Sequence, residues 1–190
     1  MIDFLRVFKQ EITMSELVAG WSTTELRQLT NEMIDTIQNQ IADCTDADVN
    51  FVPEDPKAND PGASNPEEAN KPWTLSHVIA HTTAGGEETA ALAAELARGV
   101  EFHGRSRSEV PWETITTIEQ CRQRLEESRR MRLASLDMWP EQPHLDNTHE
   151  PFPAVGSLDA IGYFSVGLAH EQSHLKQIAD IIQQAKAART

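Results

Sequence analysis

The chain of 190 residues has little cysteine and no long apolar run. Its two cysteines, Cys44 and Cys121, fit no metal-ligand spacing and no disulfide framework, so we predict two reduced thiols, with a chance structural pair as the alternative. No apolar stretch approaches the roughly 18–20 residues of a membrane span, which argues against a membrane partner. The first six residues have an acid at Asp3 and no apolar core, unlike a signal peptide. We therefore expect a cytoplasmic protein.

Positive charge is also scarce. Lysine and arginine number 16 against 30 aspartate and glutamate residues, which gives a formal net charge of −14 at pH 7. Such a surface repels a phosphate backbone, so the composition argues against a nucleic-acid partner. Eight acidic residues stand against Lys57 alone between residues 43 and 70, and five prolines interrupt residues 46–72. Residues 46–72 are predicted to form a long, solvated acidic loop.

What the chain has in quantity is apolar residues at helical spacing. Four long amphipathic helices are predicted, over residues 22–45, 75–98, 114–138 and 158–187. Ser22, Thr74 and Ser157 are the predicted N-caps of the first, second and fourth of these helices, and a short helix precedes them in residues 1–20. With no strand-like alternation, the pattern predicts an all-α fold. We expect a four-helix bundle with long crossover loops in a single domain of residues 1–190.

Two of the predicted helices carry features beyond the apolar stripe. Gly85 and Gly86 stand in the middle of the second helix, and such small residues predict the close approach of another helix or of a substrate. The third helix has a face rich in arginine and glutamate that includes Arg132. This face is predicted to be exposed and crossed by salt bridges.

Four of the seven histidines form two pairs with a spacing of four residues. A spacing of four turns a side chain by only about 40° around a helix, so both imidazoles of a pair can address one point. His81 and His174 flank the apolar stripes, His170 lies farther out on the same side, and His77 lies toward solvent. We predict that His81, His170 and His174 hold a divalent metal ion, with positions left open for a reactive ligand. Imidazole ligands favour Zn²⁺ or Ni²⁺ here, ahead of Fe²⁺ or Mn²⁺.

The remaining histidines have less defined roles. His77 is a hydrogen-bond donor behind the ligands, a fourth ligand or an exposed residue. Three further histidines lie in predicted loops and are interpreted as surface residues: His103, His144 and His149.

Residues 170–174 also match H-E-x-x-H, the motif of zinc metallopeptidases, in which the glutamate is the general base. Gln177 stands where the extended motif has a glycine, and the chain shows no sign of the sheet that supports substrate in such enzymes. Glu171 is therefore a candidate catalytic base for a water molecule on the metal. The alternative is a buried glutamate paired with an arginine across the bundle.

Two segments around the histidine pairs carry short motifs. Residues 73–81 read Trp-Thr-Leu-Ser-His-Val-Ile-Ala-His, and residues 169–178 read Ala-His-Glu-Gln-Ser-His-Leu-Lys-Gln-Ile. These segments resemble the DinB-like (YfiT-like) superfamily of metal-binding four-helix bundles. In that family a ligand histidine follows a tryptophan by eight residues at the opening of the second helix, and H-x-x-x-H with Gln-Ile closes the domain. Together with the capped first helix, the resemblance spans about residues 22–186.

The resemblance implies three histidine ligands, an open metal position and frequent homodimerisation. Members include transferases and isomerases that activate low-molecular-weight thiols such as mycothiol or bacillithiol. We therefore expect a small-molecule substrate and a metal-dependent thiol S-transferase or hydrolase. The alternatives are a non-catalytic, stress-associated metal-binding bundle, an HExxH-type metallopeptidase and a purely structural bundle with surface histidines. The acidic loop and His77 depart from the family pattern.

Overall fold

A computed structural model describes residues 2–59, 69–105 and 109–189. Within these ranges the secondary structure is helical, with one 3₁₀ turn at Trp112–Thr114 and no β-strand. The α-helices are, in chain order, α1 (Leu5–Phe8), α2 (Met14–Leu17), α3 (Thr23–Gln40), α4 (Asp46–Val49), α5 (Leu75–Ala97), α6 (Ile118–Asp137) and α7 (Ala160–Ala188). The predicted all-α class is confirmed for the part of the chain that is described.

Two of the predicted N-caps are confirmed. The hydroxyl of Ser22 accepts from the backbone amide of Thr24 at the start of α3. The hydroxyl of Thr74 accepts from the amide of His77 at the start of α5. Each bond satisfies one of the amides that a helix start leaves without an intrahelical partner.

Two predicted helix starts are wrong. The third long helix does not begin at residue 114, because the hydroxyl of Thr117 accepts from the amide of Gln120 and so starts α6. Ser157 does not cap the fourth helix, because the carboxylate of Asp159 accepts from the amide of Gly162 and starts α7 there. Both errors come from choosing between neighbouring cap-forming residues that the sequence pattern does not distinguish.

The predicted acidic loop begins with a helical turn. The backbone amide of Thr45 donates to the Asp48 carboxylate at 2.7 Å at the start of α4, and α3 ends at Gln40 instead of continuing to residue 45. Asp48 is 1 % exposed and forms an ion pair with Arg189 at 3.1 Å, so this acid is not solvated as predicted. Residues 60–68 of the predicted loop lie outside the described residues.

The four long helices pack around one hydrophobic core. Helix α5 packs most extensively on α7 and also on α6, while α3 packs on both α6 and α7. Fully buried aliphatic and aromatic side chains from all four helices fill this core, among them Leu26, Ile34, Ile79, Leu125 and Phe164. The arrangement places α5 directly beside α7, and these are the two helices that carry the histidine pairs.

Two glycines allow the backbones of α5 and α7 to approach closely. A Cβ atom added at Gly167 of α7 would lie 3.1 Å from the Cα atom of Gly86 on α5. The close approach predicted for the glycines of α5 is therefore present at Gly86, where the neighbouring element is helix α7. A larger residue at position 167 would push apart the two helices that carry the histidines.

The exposed face predicted for α6 is wrong at Arg132. This side chain is 1 % exposed, and its Nη1 atom donates to the Oε2 atom of Glu171 on α7 at 2.5 Å. Arg130, by contrast, is exposed and pairs with Glu127 on the same helix. The partner of Arg132 lies on another helix, so the spacing of residues along α6 cannot identify it.

Cys44 and Cys121 are both buried free thiols, in agreement with the prediction of two reduced cysteines. Burial raises the pKa of the Cys121 thiol to about 12. A thiol with such a pKa is protonated at neutral pH, so Cys121 is a poor nucleophile.

Among the described residues, none of the helices is both long enough and apolar enough to cross a membrane.

Candidate metal centre

Three histidines converge between α5 and α7. The Nε2 atom of His170 lies 3.0 Å from Nε2 of His81 and 3.2 Å from Nε2 of His174. One ring nitrogen from each of the three lies within 4.8 Å of the other two, and all three residues are half-buried. The structure thus brings together the three histidines that the sequence analysis selected.

The spacing of these nitrogens suits a metal ion. A tetrahedral ion about 2.0–2.1 Å from its nitrogen ligands holds them about 3.3 Å apart. The two Nε2 separations of 3.0 and 3.2 Å are close to that value. Three neutral imidazoles carry no charge that would repel a cation, and a tetrahedral ion would keep one position for a further ligand. The donor set therefore fits a divalent ion.

Gln177 fixes the tautomer of His174. The Nδ1 atom of His174 lies 2.7 Å from the side-chain oxygen of Gln177, one turn farther along α7. Because that oxygen can only accept, Nδ1 carries the proton and Nε2 presents its lone pair to the cluster. Burial lowers the pKa of His174, and the bond to Gln177 opposes part of that effect. The ring therefore stays neutral, and able to bind metal, to a lower pH than an ordinary histidine.

We expect Gln177→Leu to weaken metal binding by about 10–100-fold, the usual effect of losing a group that orients a histidine ligand. Leucine cannot accept from Nδ1, so the ring of His174 can rotate and change tautomer. A competition titration against a zinc-chelating dye measures the affinity. Gln183→Leu, on the exposed face of α7, is the matched control and should leave the affinity unchanged. Equal affinities for the two variants would contradict the orienting role.

Gly85 makes room for the imidazole of His170. A Cβ atom added at Gly85 would lie 2.8 Å from Nδ1 and 3.1 Å from Cε1 of that ring. The neighbouring Gly86 has a different role, because a Cβ atom there would lie 2.8 Å from Nη1 of Arg132. His170 therefore packs against bare backbone of α5, and its position depends on the absence of a side chain at residue 85.

Gly85→Ala should displace His170 and weaken metal binding by about tenfold or more, because ligand positions must be held to within about 0.5 Å. Alanine favours a helix over glycine by about 1 kcal/mol, so unfolding of α5 would not explain the loss. Gly86→Ala is the matched control: it disturbs Arg132, so stability should fall while the metal stoichiometry is kept. Elemental analysis and chemical denaturation measure both properties. A wild-type affinity in Gly85→Ala would show that the ring does not depend on this contact.

Two tryptophans pack against the histidine rings. The ring centroid of Trp73 lies 4.4 Å from that of His77 and 4.6 Å from that of His81, and it lies 5.9 Å from His174 with nearly parallel planes. His77 is also stacked on Trp112, with centroids 4.9 Å apart and 5° between the planes. His77 is therefore half-buried in an aromatic stack next to the cluster, and of its three alternatives the exposed residue is wrong.

Comparison with known protein families supplies an independent observation. The family model of the DinB superfamily matches residues 22–178, which is most of the chain. The chain belongs to the DinB superfamily. Proteins of this superfamily often bind a divalent metal ion. In the parallel comparisons, no curated protein and no solved structure matched.

Both histidine-bearing segments of this DinB protein, residues 73–81 and 169–178, lie inside the family match. The resemblance identified from these segments is thereby confirmed. Helices α1 and α2, in contrast, precede the matched residues.

The candidate base of this DinB protein, Glu171, lies on the inner side of α7. Its side chain is fully buried, and its carboxylate accepts from Arg132. Burial raises the pKa of Glu171, and the positive charge of Arg132 lowers it. These contacts correspond to the alternative of a buried glutamate paired with an arginine on another helix.

The three loop histidines of the DinB protein lie in different surroundings. His103 is exposed and bonds to Glu95 at 2.9 Å, and His144 is also exposed, so the surface interpretation is correct for both. His149 is half-buried, because its ring stacks on Phe102 with centroids 3.5 Å apart. The surface interpretation is therefore wrong for His149.

Two residues near the centre had no signal in the sequence of this DinB protein. The Oε2 atom of Glu109 lies 4.0 Å from Nδ1 of His81, and Trp112 covers one face of His77. Both residues lie in the segment between α5 and α6, where no helical periodicity indicates which way a side chain points.

Proposed function

We propose that this DinB-superfamily protein binds one divalent metal ion through His81, His170 and His174, with Zn²⁺ or Ni²⁺ favoured over Fe²⁺ or Mn²⁺. The convergence of the three Nε2 atoms, with separations of 3.0 and 3.2 Å, carries the proposal. Gln177 and Gly85 support it, because one orients His174 and the other leaves space for His170. A bound ion of this kind supplies Lewis acidity, which lowers the pKa of a thiol or of a water molecule.

The reaction we favour is transfer of a low-molecular-weight thiol to a small molecule, with hydrolysis as the second candidate. A recess of about 160 Å³ adjoins His174 and Gln177. Among the described residues that line it, Lys57 and Lys71 outnumber the one acid, Asp55, in a chain that is acidic overall. Such a recess suits the carboxylate of a small biological thiol, and this observation favours the thiol over water.

The architecture and assembly that we propose follow the family. Helices α3 and α5 each pack on both α6 and α7, which supports a four-helix bundle with crossover connections. A homodimer is proposed from the family resemblance alone. The metallopeptidase alternative receives no support, because the carboxylate of Glu171 is buried against Arg132.

Protein loaded with Co²⁺ tests the metal and the thiol in one experiment. We expect one equivalent of Co²⁺ per chain, with visible absorption typical of a four- or five-coordinate ion. Adding cysteine, glutathione, mycothiol or bacillithiol should produce a thiolate-to-cobalt charge-transfer band with at least one of them. A conjugation assay with 1-chloro-2,4-dinitrobenzene then tests transfer, in which a carbon–sulfur bond forms and chloride leaves.

The lysine recess provides the matched variants. The double variant Lys57→Gln with Lys71→Gln should bind the thiol about tenfold more weakly, as measured by titration of the thiolate-to-cobalt band. This is roughly the effect of losing one favourable charge interaction. Lys9→Gln, at an exposed site on the N-terminal segment, should not change thiol binding. A protein that binds no Co²⁺ would refute the whole proposal. Normal Co²⁺ binding without any thiol band would refute only the transferase.

A further inference from the structure

A separate pocket adjoins the metal centre on the Gly85 side of His170. Its volume is about 330 Å³, and helices α5 and α7, the N-terminal segment and the loop before α7 form its walls. An engineered apolar cavity of about 150 Å³ is enough to bind benzene, so this pocket can hold a molecule larger than one aromatic ring. The pocket meets the histidine-bearing faces of α5 and α7 at Gly85, His170 and Ser173.

The wall of this pocket is mostly apolar. Six aliphatic or aromatic side chains line it: Phe8, Met14, Phe152, Val155, Val166 and Ala169. Met14 and Val155 are buried within the wall. A ligand that fits here would therefore exchange water for apolar contact over most of its surface.

The described lining contains one ion pair, between Glu88 and Arg105, whose two charges are opposite. Glu88 is almost fully buried, and Arg105 donates to both of its carboxylate oxygens, at 3.0 and 2.5 Å. Because the carboxylate and the guanidinium are in direct contact, their charges largely cancel. The part of the pocket lining that the structure describes consequently offers this ion pair and no further acidic, lysine or arginine side chain to an ionic ligand.

Two exposed phenylalanines stand in the lining of this pocket. Phe8 is 50 % exposed and Phe152 is 40 % exposed, although both side chains are large and apolar. Phe8 and Met14 also precede residue 22, where the family match begins. The pocket is thus built partly from residues that lie outside the family match.

We propose that this pocket binds a small, uncharged and predominantly apolar molecule. The volume, the apolar wall, the neutralised ion pair and the two exposed phenylalanines lead to this ligand class. The binding goes beyond the proposed metal chemistry and does not require the ion. Failure of the pocket and failure of the metal site can therefore be observed separately.

Methionine methyl groups report on the pocket directly. Met14 is the one methionine among the described lining residues, whereas Met33, Met131 and Met138 lie elsewhere and serve as internal references. Protein labelled with ¹³C at the methionine methyl groups is titrated with benzyl alcohol, benzoate and benzylamine, with and without Zn²⁺. We expect benzyl alcohol to shift the Met14 signal saturably in both states. Benzoate and benzylamine should bind about tenfold more weakly, because each brings an unpaired charge.

Two valines at different sites, one inside the pocket lining and one outside it, provide the test variant and its control. Val166→Phe fills the pocket and should weaken benzyl alcohol binding by about tenfold or more, whereas Val100→Phe, at an exposed site outside the lining, should not. If Val166→Phe does not fold, Phe152→Ala at an exposed position tests another contact in the same pocket, with an expected loss of about threefold.

Three results would overturn the proposal. The first is a Met14 signal that benzyl alcohol does not shift. The second is benzoate binding at least as tightly as benzyl alcohol, which would make Arg105 an anion site. The third is a Met14 shift that depends on protein concentration without ligand, which would mean that a second copy of the chain fills the pocket.

Discussion

His170→Ala is expected to weaken Zn²⁺ binding by at least about 100-fold, since losing even an orienting group behind a ligand costs 10–100-fold. His170 is the central member of the cluster, because its Nε2 atom lies 3.0 Å from that of His81 and 3.2 Å from that of His174. Without His170, only His81 on α5 and His174 on α7 remain of the three ligands, and the nitrogen that lay between theirs is lost. Elemental analysis of untagged protein gives the stoichiometry, and dye competition gives the affinity.

Two further histidine variants complete this experiment. His144→Ala removes an exposed imidazole and should leave both stoichiometry and affinity unchanged. His77→Ala tests the fourth-ligand alternative: His77 stacks between Trp73 and Trp112, so we expect the stoichiometry to be kept. A folded His170→Ala variant that retains one Zn²⁺ per chain at wild-type affinity would show that the metal lies elsewhere.

The helices and the histidine set could be predicted because their signals are local. A capping residue followed by an apolar stripe marks α3 and α5 within a few residues. A spacing of four places His170 and His174 on one side of α7 whatever the rest of the chain does. The remaining step, which brings His81 to the same point, needed only that two amphipathic helices bury their stripes against each other.

The surroundings of the site could not be predicted, because they depend on distances between elements. Gly85 was recognised as a place of close approach, but the sequence could not identify the ring of His170 as its neighbour. Gln177 was recognised as part of the family motif, but the sequence did not indicate what its side chain does. Its bond to His174, which orients the ring, is visible only in the structure. Arg132 was assigned to an exposed face, since its neighbours along α6 are arginines and glutamates.

Arg132→Met is the second change with a large expected effect. The Arg132–Glu171 pair is almost completely buried, with 1 % and 0 % of the two side chains exposed. Removing one partner leaves a buried charge without compensation, so we expect the free energy of unfolding to fall by about 3–5 kcal/mol. Urea denaturation of the metal-free protein measures it. Arg130→Met, at an exposed pair on the same helix, should cost less than about 1 kcal/mol.

The pH dependence identifies the cause of that loss. In Arg132→Met, burial still raises the pKa of Glu171, and the positive charge that lowered it is gone. When a carboxyl group has a raised pKa in the folded state, the free energy of unfolding of the protein falls as the pH rises through that pKa. The cost relative to Arg130→Met should therefore be greatest near neutral pH and shrink toward about pH 4, near the ordinary pKa of glutamate. A cost independent of pH would assign the loss to packing instead.

The double variant Arg132→Met with Glu171→Leu separates a structural glutamate from a catalytic one. Removing both charges should restore most of the stability lost in Arg132→Met, because apolar side chains of similar size can replace a buried ion pair without loss. His170 and His174 are unchanged in this variant, so it should still bind metal. If it also keeps thiol transfer in the conjugation assay, Glu171 acts only as the partner of Arg132. A folded, metal-loaded double variant that has lost thiol transfer would instead support Glu171 as the base.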